Sequence, residues 1–217
     1  MTWTKICGFR TADTACRAAE LGASAVGLNF FPKSVRFVEP GQARAIVEAV
    51  AGAAQCVGLF VNEPVDVICE TVAASGVGMV QLHGDETPGD LAELKQRLPA
   101  VPVIKAFAIG ESLVPVADFL IDCGSLGCSP DYVLLDAQVD GEWGGTGQTA
   151  PWDVIVGGYL PSWPPLILAG GLSSANVREA IERVQPWGVD VASGVEIERG
   201  TKDAGLIAEF MNQVEGL

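Results

Sequence analysis

Eight times along the chain a short apolar run is followed by a helix signal, and no other feature limits the fold as tightly. The runs cover residues 4–9, 24–30, 56–61, 79–84, 101–107, 132–137, 166–171 and 189–194. They are continuous rather than alternating, as expected of strands buried on both faces. The segments between them read as helices over 11–22, 42–51, 65–75, 89–98, 113–122, 152–158, 177–184 and 202–214. Thr11 is an N-cap candidate, Gly22 a stop and Pro40 a helix entry, and residues 174–176 cap the seventh helix. Strict β-α alternation specifies a parallel sheet. Eight units in 217 residues specify a closed barrel, so the chain reads as one α/β domain over residues 1–217, a (β/α)8 TIM barrel. An open doubly wound sheet is the alternative. It has fewer strands and a G-x-G-x-x-G first turn, whereas Gly8 here is followed by Phe9-Arg10-Thr11.

Apolar residues make up 49% of the chain, enough for a large core, yet no run approaches the length of a membrane span. Nothing near Met1 has the regions of a signal peptide. The cysteines Cys7, Cys16, Cys56, Cys69, Cys123 and Cys128 are scattered, and no second pair or histidine cluster completes a metal site around Cys123 and Cys128. Six reduced thiols in a cytoplasmic protein are expected. A net charge of −14 argues against nucleic-acid and anionic-membrane partners. It leaves open a small anion held by local amides.

In such barrels the chemistry gathers at the C-terminal ends of the strands and in the loops that follow. Candidates there are Cys7, Arg36, His83, Asp136, residues 144–147, Gly170, Gly171, Ser193 and Gly194. Lys5 and Cys7 share one face of the first strand. Cys7 reads either as a buried small hydrophobe or as a reactive thiol. Asp136 closes the run Val133-Leu134-Leu135, where a carboxylate is costly without a partner or a task. Strands seven and eight both end in glycine, which lets amides approach an anion, and those loops are the usual phosphate site; tight turns are the plain alternative. His83, the only histidine, shares a face with Gln81 and reads equally as a hydrogen-bonded structural group. Arg36 lies in a loop with Phe31, Lys33 and Phe37, where its planar fork suits a carboxylate or merely meets solvent. A thiol, a carboxylic acid and a phosphate grip suffice for acid–base work on a sugar phosphate. Nothing marks a nicotinamide fold.

Seven motifs occur in order: Lys5-Ile6-Cys7-Gly8, Phe31-Pro32-Lys33-Ser34-Val35-Arg36, Gly58-Leu59-Phe60-Val61-Asn62, Val80-Gln81-Leu82-His83-Gly84-Asp85-Glu86, Gly144-Gly145-Thr146-Gly147, Ala169-Gly170-Gly171-Leu172 and Val189-Asp190-Val191-Ala192-Ser193-Gly194-Val195-Glu196. Together they resemble the phosphoribosylanthranilate isomerases of tryptophan biosynthesis from Lys5 to about Asp203. The resemblance implies a (β/α)8 barrel, no metal or organic cofactor, and a small-molecule substrate, phosphoribosylanthranilate, converted by an Amadori rearrangement. It implies Asp136 as general acid at the ring oxygen and Cys7 as general base at C2. It implies Arg36 on the anthranilate carboxylate, and Gly170, Gly171, Ser193 and Gly194 on the phosphate. His83, Gly145, Thr146, Gly147 and Asp190 join the substrate-binding set. A monomer or a homodimer fits equally. Where the family usually continues with Phe-Asp-Trp, this chain reads Gln148-Thr149-Ala150-Pro151-Trp152, so a shifted helix start is expected there. A non-catalytic phosphometabolite-binding barrel and a sister isomerase of histidine biosynthesis, which uses two carboxylates, are the alternatives. The thiol–carboxyl pair argues against both. Lys5 beside Cys7 leads us to expect a modest fall in the thiol pKa, and the apolar strand end a raised one for Asp136.

Overall fold

The apolar runs become strands β1 Trp3–Cys7, β2 Ala25–Asn29, β3 Gln55–Phe60, β4 Met79–Leu82, β5 Val103–Ile109, β6 Tyr132–Ala137, β7 Leu166–Leu168 and β8 Gly188–Val191. All pair in parallel, and β8 returns to β1 with Thr4 opposite Val189, closing the barrel and excluding the open sheet. The structure, a computed structural model, describes residues 2–137 and 152–216. Helices α1 Ala12–Glu20, α2 Pro40–Val50, α3 Val65–Ser75, α4 Pro88–Arg97, α5 Val114–Ser125, α6 Trp152–Gly158, α7 Val177–Val184 and α8 Ala204–Glu215 accompany the strands. Among the described residues no helix is long and apolar enough to cross a membrane.

Alternation along the strands sorts the core into two layers. Ile6, Val80, Leu82, Val133, Leu135, Val189 and Val191 point outward and pack in the large cluster under the helices. Ala25, Val57, Met79, Ile104, Leu134 and Ile167 form a separate apolar cluster inside the barrel. The inward face of β1 carries Lys5 and Cys7, both buried.

Strand ends depart from expectation where the backbone leaves the β region. Gly8 has φ +97°, and Gly170 and Gly171 have φ +89° and +65°, a left-handed conformation that other residues adopt at a cost. β7 therefore stops before the glycines expected within it. β8 stops before a single 3-10 turn, Ser193–Val195. A short antiparallel hairpin follows, β9 Glu196–Glu198 and β10 Thr201–Lys202, which the sequence did not lead us to expect; its last residue, Lys202, was expected to open the closing helix. It delays α8 to Ala204. Helix α6 begins at Trp152; the residues just before it, where a shifted helix start was expected, lie outside the described part.

Candidate active site

Cys7 stands at the C-terminal end of β1, facing inward. Its room comes from Gly27 on β2, where a Cβ would lie 2.7 Å from the sulfur. Two residues earlier Lys5 is fully buried, and its Nζ donates to both carboxylate oxygens of Asp190 on β8, at 3.0 Å each. Burial works against the Lys5 ammonium, but Asp190 and the Cys7 sulfur outweigh it and raise its pKa. Burial likewise lifts the Asp190 carboxyl, against the pull of Lys5. Lys5 remains charged, because the Asp190 carboxylate lies in direct contact with it.

The thiol itself moves opposite to expectation. Burial pushes the Cys7 pKa up, and Lys5 and Lys202 only partly oppose it. Lys5 does point into the barrel as required. However, its charge is already met by Asp190, whose own charge pushes the thiol further upward.

Asp136 ends the inward face of β6. His83, just past β4, brings its Nε2 to 3.7 Å from Asp136 Oδ2. The Nδ1 of His83 lies 2.7 Å from Nε2 of Gln81. With the amide donating there, the ring proton sits on Nε2, toward Asp136. Burial first, then the Lys5 and Lys105 charges, lower the His83 pKa to about 4, so the ring is neutral at physiological pH. The other end of Gln81, its buried Oε1, has no hydrogen-bond partner among the described residues.

These groups line a single cavity of about 340 Å³ at the C-terminal mouth of the barrel. Cys7, Arg36, His83, Asp136, Gly170, Gly171, Asp190 and Ser193 all face it. Gly194 is not among the lining residues; any Cβ there would collide with the carbonyl oxygen of Leu172. Gly145, Thr146 and Gly147 lie outside the described residues. The loop after β7 is shaped by Asn176, which donates from Nδ2 to the Gly171 carbonyl (2.9 Å) and accepts from the Ser173 amide (2.8 Å). Gly170 and Gly171 thus offer bare backbone to the cavity wall, the arrangement an anion needs.

Arg36 enters from the loop after β2, and its fork is already engaged. Nε and Nη2 donate to the two carboxylate oxygens of Glu196 at 2.7 and 2.6 Å. Gln81, Glu196 and Arg199, on the cavity wall or directly behind it, were not among the sequence candidates. Gln81 and Glu196 stand within the quoted motifs, but pairing Arg36 with a residue 160 positions away needs the fold.

A family model described as N-(5'phosphoribosyl)anthranilate (PRA) isomerase matches residues 4–213. The N-(5'-phosphoribosyl)anthranilate isomerase of Geobacter metallireducens is 40% identical over 99% of this chain and 100% of its own. That of Azotobacter vinelandii is 43% identical over 97% and 96%. The crystal structure of phosphoribosyl anthranilate isomerase from Thermotoga maritima superposes with a TM-score of 0.87 at 34% identity, over the whole of both chains. Another structure of such an isomerase, in complex with reduced 1-(o-carboxyphenylamino)-1-deoxyribulose 5-phosphate, gives 0.82 at 33%, again over both whole chains. Likeness of this extent, in sequence and in backbone alike, leaves one assignment: the chain belongs to the N-(5'-phosphoribosyl)anthranilate isomerase family.

Proposed function

We propose that this chain isomerises N-(5-phosphoribosyl)anthranilate to 1-(2-carboxyphenylamino)-1-deoxyribulose 5-phosphate in tryptophan biosynthesis, with Asp136 as general acid and Cys7 as general base. The observation that carries the assignment of roles is the single cavity holding a thiol on one strand and a carboxyl on another. It has an arginine at one edge and glycine backbone at another. Asp136 gives its proton to the furanose ring oxygen as the C1–O bond breaks and the nitrogen lone pair forms the C=N bond of an iminium. The Cys7 thiolate then takes the C2 proton, and the C2–H electrons neutralise the iminium to an enolamine. Tautomerisation, with a proton added at C1 and the C2 hydroxyl proton lost, gives the ketone.

Electrostatics fit this order. A buried thiol above its usual pKa is scarcely ionised beside a neutral molecule, so little of the base is present. The thiol becomes an effective base when ring opening places a cation beside it. Asp190, its oxygens anchored by Lys5, and neutral His83 serve sugar hydroxyls. Gly170, Gly171 and Ser193 bind the phosphate from the wall, and Gly194 serves by being small enough to let Leu172 pass. Arg36 takes the anthranilate carboxylate. The mechanism needs a reduced Cys7, which fits a cytoplasmic enzyme. It operates in a monomer or a homodimer, which sedimentation velocity separates; a related Thermotoga maritima isomerase is dimeric.

The test is loss of phosphoribosylanthranilate fluorescence on adding purified protein. A protein that binds the substrate without consuming it is a binding barrel, and the proposal fails. For the roles, Arg36→Ala loses a charge-assisted contact and lowers kcat/KM at least about tenfold. Wild-type kinetics in that variant would return Arg36 to a surface residue. Gly171→Asp brings a side chain and a like charge against the phosphate, and KM rises; an unchanged KM places the phosphate elsewhere.

A further inference from the structure

Glu196 is a buried carboxylate that the mechanism above does not use. Its side chain is 2% exposed, at the start of the β9–β10 hairpin. Four donors converge on it: Arg36 Nε (2.7 Å) and Nη2 (2.6 Å), Lys202 Nζ (2.8 Å) and the Gly200 amide (3.1 Å). Lys202 faces Glu196 across the hairpin, is itself 2% exposed, and also donates to the Ala192 carbonyl at 2.9 Å, which ties the hairpin to the loop after β8. On the other side of Arg36, Gly8 packs directly against the Cδ of the side chain, where any Cβ would collide. The guanidinium is held between a glycine and a carboxylate at the edge of the cavity.

We propose that Glu196 is the positioning residue of the substrate-carboxylate site: it fixes Arg36 by the Nε–Nη2 edge and presents the adjacent, Nη1–Nη2 edge to the ligand. The inference rests on the proposed role of Arg36. A guanidinium has five N–H donors in a rigid plane, and Glu196 uses two of them. Of the three that remain, one on Nη1 and one on Nη2 form a second fork, which matches a second carboxylate. Charge makes the arrangement work: two cations, Arg36 and Lys202, surround one carboxylate, so the cluster keeps one net positive charge. Without Lys202, Glu196 would neutralise the arginine it holds. The ionised state of Glu196 follows from the same contacts. Burial opposes the charge, but Arg36, Lys202 and the Gly200 amide hold its pKa down to about 2. With Arg36 ordered before substrate arrives, binding does not bear the cost of freezing a long side chain.

The experiment compares two substrates, N-(5-phosphoribosyl)anthranilate and N-(5-phosphoribosyl)aniline, which lacks only the carboxylate. The wild-type enzyme prefers the first, and Arg36→Ala lowers that preference at least about tenfold. Glu196→Gln keeps the Arg36 charge but loses its anchor. It lowers the preference by about three- to tenfold, chiefly through KM, with Glu196→Asp between it and wild type. If Glu196→Gln lowers kcat/KM equally for both substrates, or leaves the preference at the wild-type value, Glu196 merely supports the hairpin and the inference is overturned while the Arg36 role stands. If Arg36→Ala leaves the preference intact, the carboxylate is read elsewhere and both fall. Should Glu196→Gln fail to fold by circular dichroism, the Glu196→Asp preference decides the same question.

Discussion

The two ends of the barrel are filled by opposite chemistry, and one strand displays the contrast. The inward face of β1 runs Trp3, Lys5, Cys7, from the N-terminal floor to the C-terminal mouth. At the floor Trp3 stacks on Trp187 with centroids 5.0 Å apart, Tyr132 lies 4.5 Å from Trp187, and the three rings close the bottom. Above them comes the dry layer of Ala25, Val57, Met79 and Leu134. At the mouth the interior changes to a buried ammonium–carboxylate pair, a thiol, a neutral histidine and an amide oxygen with no partner among the described residues. β6 repeats the gradient with Tyr132, Leu134, Asp136. The floor is assembled from dispersion and burial. The mouth keeps polar groups that water or a ligand must complete, and that incomplete satisfaction costs stability. Stability and activity should therefore respond separately to changes at the two ends.

The largest effect separates them from the top. Cys7→Ser is a far weaker base, and Asp136→Asn cannot release a proton. Each should lower kcat by about 10²–10⁴, the range of a general acid or base, with little change in Tm. Near-normal kcat in Cys7→Ser would make the thiol core packing and end the proposed mechanism. Iodoacetamide should inactivate the enzyme, and a product analogue should protect it.

From the bottom, Trp3→Ala removes a ring from the floor. A loss of about 3 kcal/mol, read as a fall of about 6–12 °C in Tm, is expected while kcat/KM of the folded fraction holds. Lys5→Met, one step up the same face, tests where the boundary lies. It strands Asp190 as a buried, unpaired charge, so it should destabilise by a similar amount. It should also depress the rate, because the cation that opposes the rise of the Cys7 pKa is gone. A Lys5→Met enzyme with full activity would show that the ion pair belongs to the floor's kind of chemistry after all.

The same gradient explains what could be read from the sequence. The outer layer was legible because each strand is a continuous apolar run and each helix carries its own punctuation. α3, α6 and α7 fall at the residues expected. β5 did not, since Val101-Pro102 precede the ladder and the strand runs on to Ile109. Cys7 and Asp136 stood out as candidates at the ends of apolar runs, whereas Asp190 entered only with the family resemblance. The β9–β10 hairpin was not legible, being short and mostly charged, with Ile197 exposed to solvent. Its function, holding Arg36, depends on a contact made only in the closed barrel. The direction of the Cys7 shift was misread for a related reason. Strand periodicity placed Lys5 beside the thiol, but only the β1–β8 register put Asp190 opposite Lys5 and cancelled its charge.

A pH profile sharpens the account of the mouth. The reactive form needs thiolate on Cys7 and a proton on Asp136 together, one proton shared between two groups. Its population is level between their two apparent pKa values and falls outside them. Burial raises the Cys7 thiol, so the alkaline edge of kcat/KM should lie above the free-thiol value near 8.5. Asp136→Asn removes the need for that proton. Its residual activity should then climb with pH, about tenfold per unit, until Cys7 is ionised. A residual rate that declines over this range would take the base role away from Cys7.

The smallest effect concerns stability in mild acid. His83 is the only histidine of the chain, so its ordinary pKa falls between neutrality and the carboxylate range. Its pKa is lowered from 6.5 to about 4 in the folded protein. Across that window the unfolded chain binds a proton that the folded chain refuses, and stability falls as pH drops from 6.5 toward 4. Its side chain is 19% exposed at the cavity, which moderates the penalty. From pH 7 to pH 5 the loss should be about 1–2 kcal/mol, read from urea midpoints. His83→Asn cannot take up that proton, so its midpoint should shift less than the wild type's over the same interval. Glu196, held low by Arg36 and Lys202, begins to lose its contribution only below about 4.5. Asp190, whose carboxyl burial lifts, acts in the opposite sense but equally in both proteins, so the difference between them reports His83. Equal acid sensitivity in the two proteins would mean that His83 is not held neutral at the mouth. The contrast between a dry floor and a polar mouth would then owe nothing to that ring.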